Sequence, residues 1–236
     1  MSKGVLYLIP TALGDDSDQK RVFPEFNIGI INTLIHFVVE DERSARRALK
    51  KMGIITPIQD LQLVTLNKHT KYNEINTYLK PALEGKSIGL LSEAGCPGVA
   101  DPGAEVVNLA HQMGIKVVPL VGPSSILLAI MASGLNGQSF AFNGYLPIDQ
   151  KEKTKRLKDL EFYSKQHKQT QLFIETPFRN QKLLEDILNT CSAATQLCIA
   201  TDITLPTEII KTNSIEYWRK NIPNLHKRPA IFLILG

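Results

Sequence analysis

The chain has few of the residues that build disulfide frameworks or metal centres. It contains three cysteines, Cys96, Cys191 and Cys198, with no CxxC pair, and five scattered histidines without HExxH spacing. An odd number of widely spaced cysteines indicates neither a disulfide framework nor a zinc site. Histidines without ligand spacing give no motif for a catalytic metal. We therefore expect no metal in the functional site.

Long apolar runs are also missing. No stretch approaches the ~20 consecutive apolar residues that span a bilayer, and the first residues lack the h-region and cleavage site of a signal peptide. The net charge of +4, from 27 basic and 23 acidic residues, permits a polyanionic partner without demanding one. We expect a soluble, cytoplasmic protein without a membrane partner.

The glycine-containing motifs of several large enzyme classes are absent. The sequence has no GxGxxG, no GxxxxGK[ST] and no GxSxG. Dinucleotide-binding, phosphate-loop and serine-hydrolase functions are therefore poorly supported. Cys96 lies between Gly95 and Pro97 with no histidine near it in sequence. This setting favours a small residue that lines a pocket over a nucleophile.

The first half of the chain alternates apolar, strand-like runs with helical segments. Strands are predicted at residues 5–9, 37–39, 63–66, 87–91 and 115–120. Helices are predicted at residues 44–52, at 72–83 with a kink or restart at Pro81, and at 101–113. This alternation is typical of a parallel sheet with crossover helices. Glycine and prolines at 119–123 then divide an N-terminal α/β domain, residues 1–118, from a C-terminal α/β domain, residues 119–236.

The second half is richer in strands. They are predicted near residues 140–142, 171–174, 196–200, 208–211 and 231–235, with helices at 124–133 and 181–189. Their close succession indicates a mixed or antiparallel sheet in the later part. The lysine-rich segment 151–168 is interpreted as a solvated helix face, with nucleic-acid contact as the alternative.

Three loops share one composition. Residues 10–15, 93–101 and 122–125 each follow an apolar strand and consist largely of glycine, proline, serine, threonine and alanine. Loops at the carboxyl ends of parallel strands emerge at one edge of the sheet, so we expect the three to converge. Small side chains let a ligand approach backbone groups closely. We therefore predict a pocket that recognises its ligand mainly through main-chain atoms.

Several segments in order resemble the tetrapyrrole methylase superfamily of S-adenosylmethionine (SAM)-dependent methyltransferases. They are LYLIPTALG at 6–14, SEAGCPGVADPG at 92–103, GPSS at 122–125, ASGL at 132–135, GYLP at 144–147 and ETPFR at 175–179. The resemblance runs nearly end to end, and the second segment is the most specific. Within the superfamily, the sequence is most similar to the branch that methylates a ribose 2′-hydroxyl of small-subunit ribosomal RNA.

The resemblance implies two α/β domains, mainly parallel in the first and mixed in the second, with the methyl donor in the cleft between them. It also implies a homodimer and an RNA acceptor. Carried over position by position, it assigns donor contacts, mostly through backbone atoms, to a set of small or apolar residues with one acid. They are Leu13, Gly14, Cys96, Val99, Ser124, Ser125, Glu175, Ala200, Pro229 and Ala230.

The second half departs from the pattern of the RNA branch in two segments. Residues 201–205 read TDITL where that branch has RELTK, and Lys227-Arg228-Pro229 replaces its Lys-Gly-Glu. The missing charges lie where the resemblance implies an acceptor site. Two alternatives therefore stay open: a methyltransferase of this type with a different acceptor, either a small molecule or another RNA, and a homologue that binds SAM or RNA without turnover.

A ribose hydroxyl is a weak nucleophile, and a nearby carboxylate or histidine could accept its proton as it attacks. Glu93 in the central loop and Glu40 at a strand end are the candidates, whereas Asp101 is better explained as a helix cap. A cluster of arginines follows Glu40 at helical spacing and is a candidate phosphate site, with a solvated basic face as the alternative. The predicted substrate contacts are Arg43, Arg46, Arg47 and Arg179.

Overall fold

The computed structural model describes residues 2–66, 70 and 72–236. It divides into two compact units, Met1–Ser124 and Ser125–Gly236. Each unit is a five-stranded sheet with helices packed against it. The predicted class, two α/β domains, is confirmed.

The sheet of the first unit is parallel throughout. Its strands are β1 (Val5–Ile9), β2 (His36–Val39), β3 (Gln62–Thr65), β4 (Ile88–Leu91) and β5 (Lys116–Pro119), in the spatial order β3-β2-β4-β1-β5. Every neighbouring pair is parallel. All four residues of β4 are buried, as expected for a strand covered on both faces.

Six α-helices and one short 3-10 helix, Ile58–Asp60, connect these strands within the described residues. The α-helices are α1 (Gln19–Val22), α2 (Glu25–Ile31), α3 (Glu42–Lys51), α4 (Tyr72–Tyr78), α5 (Lys80–Leu83) and α6 (Gly103–Gln112). The helix predicted at 72–83 is divided into α4 and α5. Pro81 lies in the first turn of α5, where proline is tolerated, so the helix restarts there as predicted. The α3 N-cap is Asp41, whose carboxylate accepts the Ser44 N–H at 2.8 Å.

Two apolar clusters cover the two faces of this sheet. On one face, Leu6 and Leu90 belong to a cluster with Val106 of α6. On the other, Ile9 and Phe37 belong to a cluster with Leu49 of α3. Alternate residues of each strand point to opposite faces, so the near-continuous apolar runs supply both clusters.

The sheet of the second unit is mixed, as predicted. Its strands are β6 (Phe140–Tyr145), β7 (Thr170–Ile174), β8 (Gln196–Thr201), β9 (Ile209–Ser214) and β10 (Ala230–Leu235), in the order β6-β7-β10-β8-β9. Only β6 and β7 pair in parallel, whereas β10 is antiparallel to both of its neighbours and β9 is antiparallel to β8.

The helices of this unit are α7 (Ser125–Ser133), α8 (Gln150–His167), α9 (Asn180–Thr190) and α10 (Ile215–Lys220). The lysine-rich segment forms α8, which begins after the N-cap Asp149 and contributes Leu157 and Leu160 to the core. Lys153 is buried and forms an ion pair with Asp186 of α9 at 3.2 Å. None of the helices in the described part of the chain is long and apolar enough to cross a membrane.

Gly89 of β4 provides a test of how tightly the first sheet is packed. A Cβ at this position would lie 2.6 Å from Phe37 Cδ1 and 2.7 Å from Ile9 Cδ1. We expect Gly89→Ala to lower the free energy of unfolding by about 1–3 kcal/mol, because the core must move to admit the methyl group. Urea denaturation measures this change.

Gly29→Ala is the matched control. Gly29 lies within α2, and a Cβ there would meet no neighbouring atom within 4 Å. We expect this substitution to raise the free energy of unfolding by about 0.5–1 kcal/mol, because alanine restricts the unfolded chain and favours a helix. Equal effects of the two substitutions would contradict the packing argument.

Candidate active site

The structure brings the three small-residue loops together at the carboxyl edge of the first sheet. β4 and β1 are neighbours, and so are β1 and β5. Thr11 and Gly95 exchange two backbone hydrogen bonds, of 2.9 Å and 3.1 Å, that join the first loop to the central loop. The Thr11 hydroxyl donates to the Ser92 carbonyl at 3.1 Å, and the Ser92 hydroxyl donates to the Gly95 carbonyl at 2.8 Å.

The central loop also contacts the third loop. The Cys96 thiol donates to the Pro123 carbonyl, with Sγ and O 3.5 Å apart. Gly95 has φ 77°, and a Cβ there would lie 3.3 Å from Leu13 Cδ2 and 3.6 Å from Pro123 O. The crossing therefore favours glycine for its left-handed backbone, and a Cβ would also press on the end of the Leu13 side chain.

Leu13 and Cys96, which the resemblance assigns to the donor, lie at this crossing, and Gly14 and Val99 belong to the same two loops. Cys96, Leu13 and Gly14 are half-buried, and Val99 is 48 % exposed although it is apolar. Ser124 ends the first unit and Ser125 begins α7. Burial raises the pKa of the Cys96 thiol, and the negative charge of Asp101 raises it further. The thiol is thus held neutral, in keeping with a lining role.

The two candidate bases lie next to each other, at the ends of the neighbouring strands β2 and β4. Glu40 Oε1 accepts the Glu93 backbone N–H at 3.2 Å. Burial raises the pKa of Glu40. The charges of Asp101 and Glu93 act in the same direction, while the hydrogen bond from Glu93 opposes them. Glu93 itself is exposed.

Asp101 organises the central loop. Its Oδ1 accepts the Gly98 and Gly103 backbone N–H groups, both at 2.7 Å. It lies one residue before Pro102, the N-cap of α6, and bonds to the first residue of that helix. Burial raises its pKa, and the two hydrogen bonds oppose the rise. The capping role that the sequence predicted is thus carried by the side chain, one residue before the N-cap.

The predicted arginine cluster lies on α3, and its members differ in their surroundings. Arg46 donates to the Ile58 carbonyl at 2.7 Å and pairs with Glu42 at 3.1 Å. Arg43 and Arg47 are exposed. Arg47 lines a pocket of about 310 Å³ together with the first loop and Glu93. The helix therefore offers exposed cations beside the candidate acids.

One edge of the second sheet gathers the remaining predicted residues. Ile174 at the end of β7 pairs with Ile231, and Thr201 at the end of β8 pairs with Ala230. The Pro229 carbonyl accepts the Thr201 hydroxyl at 2.9 Å and the Asp202 N–H at 3.1 Å. The strand ends thus lie beside the Pro229–Ala230 pair.

Glu175 and Ala200 reach this edge in different ways. Glu175 follows β7 and is buried, and its Oε1 accepts the Thr176 N–H and pairs with Arg179, each at 2.6 Å. Arg179 is exposed and is the N-cap of α9. Ala200 is fully buried in β8, between β9 and β10.

An ion pair that sequence reasoning missed joins the two segments that depart from the RNA branch. Arg228 donates through Nε to Asp202 Oδ2 at 2.8 Å and through Nη2 to the Thr207 carbonyl at 2.7 Å. Nη2 also lies 2.8 Å from Asp202 Oδ2. The Thr207 hydroxyl donates to the same carboxylate oxygen at 2.8 Å. Asp202 and Lys227 both have left-handed backbones, with φ 53° and 60°. The network holds residues 227–229 against the end of β8.

Asn180 at the start of α9 was also missed. It is fully buried, and its amide donates to the Arg228 carbonyl at 2.6 Å. Its Oδ1 is buried and accepts no hydrogen bond from any residue that the structure describes. Buried polar atoms are normally satisfied by protein groups or by ordered water, so this oxygen keeps an unused acceptor position. No local motif could have signalled it.

The fold is that of known methyltransferases. The solved structure of the methyltransferase CobJ superposes with a TM-score of 0.65 and 17% identity over 99% of this chain and 94% of its own. The family model for Tetrapyrrole (Corrin/Porphyrin) Methylases matches residues 31–217. The chain therefore belongs to the tetrapyrrole methylase family, as the sequence motifs indicated. It is accordingly a SAM-dependent methyltransferase.

Two similar curated proteins are both named Ribosomal RNA small subunit methyltransferase I. The protein from Vibrio cholerae is 30% identical over 98% of this chain and 77% of its own length. The protein from Escherichia coli is 29% identical over 100% of this chain and 79% of its own length. Among the described residues, no group of three or more histidine, cysteine or acidic side chains could hold a metal ion.

The raised pKa of Glu40 predicts a pH-dependent stability. The folded state binds the Glu40 proton more tightly than the unfolded state does, so this carboxyl costs stability once the pH exceeds its folded pKa. Glu40→Gln removes the charge and can still accept the Glu93 N–H. We expect it to raise the urea midpoint at about pH 7 and to change it little at about pH 4.

Urea titrations of both proteins at the two pH values measure this difference. An equal shift at both values would mean that the substitution acts through packing, and that ionisation of Glu40 costs the fold nothing.

Proposed function

We propose that this protein transfers the methyl group of SAM to a ribose 2′-hydroxyl of small-subunit ribosomal RNA. The observation that carries the proposal is the partly buried Glu40 carboxyl, with its raised pKa, beside the central loop at the edge of the first sheet. The names of relatives that align with nearly all of this chain supply small-subunit ribosomal RNA as the acceptor, and the ribose hydroxyl comes from the resemblance. An RNA acceptor of this kind also implies a cytoplasmic protein.

The residues proposed to hold the donor fit a ligand that is recognised through backbone groups. In the first unit they are Leu13, Gly14, Cys96, Val99 and Ser124, and in the second they are Ser125, Glu175, Ala200, Pro229 and Ala230. The crossing at Gly95 leaves small side chains beside the exposed Val99. Asn180 donates to the carbonyl of Arg228, the residue before Pro229, and its Oδ1 has no partner among the described residues. Bound SAM would supply a methyl group on a positively charged sulfur.

Glu40 is proposed as the general base. A carboxylate with a raised pKa is a better proton acceptor near neutral pH than an ordinary one. As the ribose oxygen forms its bond to the methyl carbon and the carbon–sulfur bond breaks, the hydroxyl proton passes to Glu40. The Glu93 N–H orients that carboxylate, and Asp101 holds the loop that carries Glu93.

Exposed cations are proposed to bind the RNA backbone. Arg43 and Arg47 are available on α3, whereas Arg46 and Arg179 are each paired with a carboxylate and would contribute after exchange of partners. The Arg46–Glu42 pair is open to solvent, so its exchange costs little. Glu175 is buried, so release of Arg179 leaves a buried carboxylate without its cation and costs more. The homodimer that the resemblance implies stays part of the proposal, since a second copy would extend a basic surface for RNA.

A different acceptor is the second candidate function. The observation that favours it is the Asp202–Arg228 pair, which joins the two segments that lack the charges of the RNA branch. A small molecule or another RNA would then receive the methyl group. The non-catalytic alternative predicts donor binding without transfer to any acceptor.

The decisive measurement is methyl transfer from labelled SAM to small ribosomal subunits purified from a strain that lacks the gene. Mass-spectrometric mapping then locates the modified nucleotide. We expect one 2′-O-methylated ribose. Label in a non-ribosomal acceptor of a cell extract would favour the second candidate, and donor binding with no labelled product would favour the non-catalytic one.

Glu40→Gln tests the base. We expect kcat for the subunits to fall by about a hundredfold or more, because the hydroxyl loses its proton acceptor, while the Kd for SAM is unchanged. Glu93→Gln keeps the backbone N–H and should cause a smaller loss. If Glu93→Gln causes the larger loss of kcat, Glu93 is the base and Glu40 only supports the loop.

A further inference from the structure

A pocket of about 310 Å³ lies within the first unit, between the first loop and one side of α3. Its wall includes Arg47 and Lys51, which stand four residues apart on that helix and so share a face. Glu93 forms another part of the same wall. The pocket therefore connects exposed positive charge with the loop that carries a candidate acid.

Lys51 has a partner that a ligand can displace. Its Nζ lies 2.8 Å from Asp15 Oδ1 and 3.0 Å from the Asp15 carbonyl oxygen. Both side chains are substantially exposed, 42 % for Lys51 and 76 % for Asp15. An ion pair this open contributes little to stability, so Lys51 can turn to a stronger anion at small cost.

Gln19 adds an unsatisfied polar atom to the same wall. Its Oε1 is buried and accepts no hydrogen bond from any described residue, within the ranges 2–66, 70 and 72–236. After rotation of the Gln19 side chain toward the pocket, this oxygen can accept a hydrogen bond from a hydroxyl or N–H group of a ligand. Two cations and one free acceptor together suit a group that combines an anion with a hydroxyl, as a ribose phosphate does.

We propose that this pocket binds a backbone phosphate of the RNA acceptor, with Arg47 and Lys51 as its ligands. The inference rests on the proposed function, and it adds Lys51 and Gln19 to the residues that the sequence suggested. Arginine and lysine side chains are the usual phosphate ligands in RNA complexes, and they set the position of the strand. A phosphate held here would place the neighbouring ribose toward Glu93 and the Glu40 carboxylate bonded to it.

The test uses four single variants of the full chain. Arg47→Gln and Lys51→Gln each remove one proposed ligand, and Asp15→Asn removes the competing carboxylate. Lys50→Gln is the matched control, because Lys50 is an exposed cation on the same helix outside the pocket wall. KM and kcat are measured with small subunits, and Kd for SAM by equilibrium dialysis. Affinity for the isolated RNA is measured across a salt series.

We expect Arg47→Gln and Lys51→Gln each to raise KM about tenfold with little change in kcat or in Kd for SAM. Each should also reduce the slope of log affinity against log salt by about one, as loss of one phosphate contact does. Asp15→Asn should lower KM, because it frees Lys51. Lys50→Gln should leave KM unchanged.

Two outcomes would overturn the proposal. If Asp15→Asn raises KM as Lys51→Gln does, Lys51 acts only by holding the first loop. If Arg47→Gln weakens SAM binding and leaves the RNA KM unchanged, the anion in the pocket is the carboxylate of the donor.

Failure of the proposed function is separable from failure of this inference. If the wild-type protein methylates no small subunit, the proposed function is refuted. The salt series would still decide whether the pocket binds a phosphate. In that series, an Arg47→Gln slope equal to the wild-type slope rejects a phosphate site.

Discussion

The pair of backbone hydrogen bonds between Thr11 and Gly95 is the interaction on which the first half of the site depends. Parallel strands bring loops to a common edge, but they do not set the distance between them. The hydrogen-bonded pair sets the distance between the first loop and the central loop. The Thr11 hydroxyl, bonded to the Ser92 carbonyl, and the Ser92 hydroxyl, bonded to the Gly95 carbonyl, stabilise the same contact. Because the contact is made by main-chain atoms, the chain can keep nearby side chains small. These small side chains also leave the backbone of the loops accessible to a ligand.

Much of the fold follows from local pattern. The apolar run 5–9 is strand β1, and Pro81 divides a helix as its chemistry requires. The short helices α1 and α2 were missed because their apolar residues are not spaced at 3.6 and their length is small. The three small-residue loops do meet, because the order of the parallel strands brings them to one edge and their small side chains allow close contact. Asp202 and Arg228, by contrast, are 26 residues apart, and only the order of β8 and β10 makes them neighbours.

The proposed chemistry requires acidic side chains that are partly buried, which is unfavourable for their charged forms. Glu40 and Asp101 both have raised pKa values because they are partly removed from water. Two backbone N–H groups donate to the Asp101 carboxylate, which offsets the cost of its burial and fixes the side chain in the central loop. Glu40 has one such bond and keeps an oxygen for other partners. The difference in compensation, more than the difference in burial, distinguishes the surroundings of Asp101 from those of Glu40.

The position of β10 has a consequence for synthesis of the chain. The first sheet has all its strands once residue 119 has been made, so that unit can fold while translation continues. In the second sheet, β10 lies between β7 and β8, although both of these strands precede it in the chain. Until residue 230 emerges, β7 and β8 lack their common neighbour and expose two strand edges. The first unit can therefore fold before the second sheet is complete, and during that interval the edges of β7 and β8 are open to pairing with other strands.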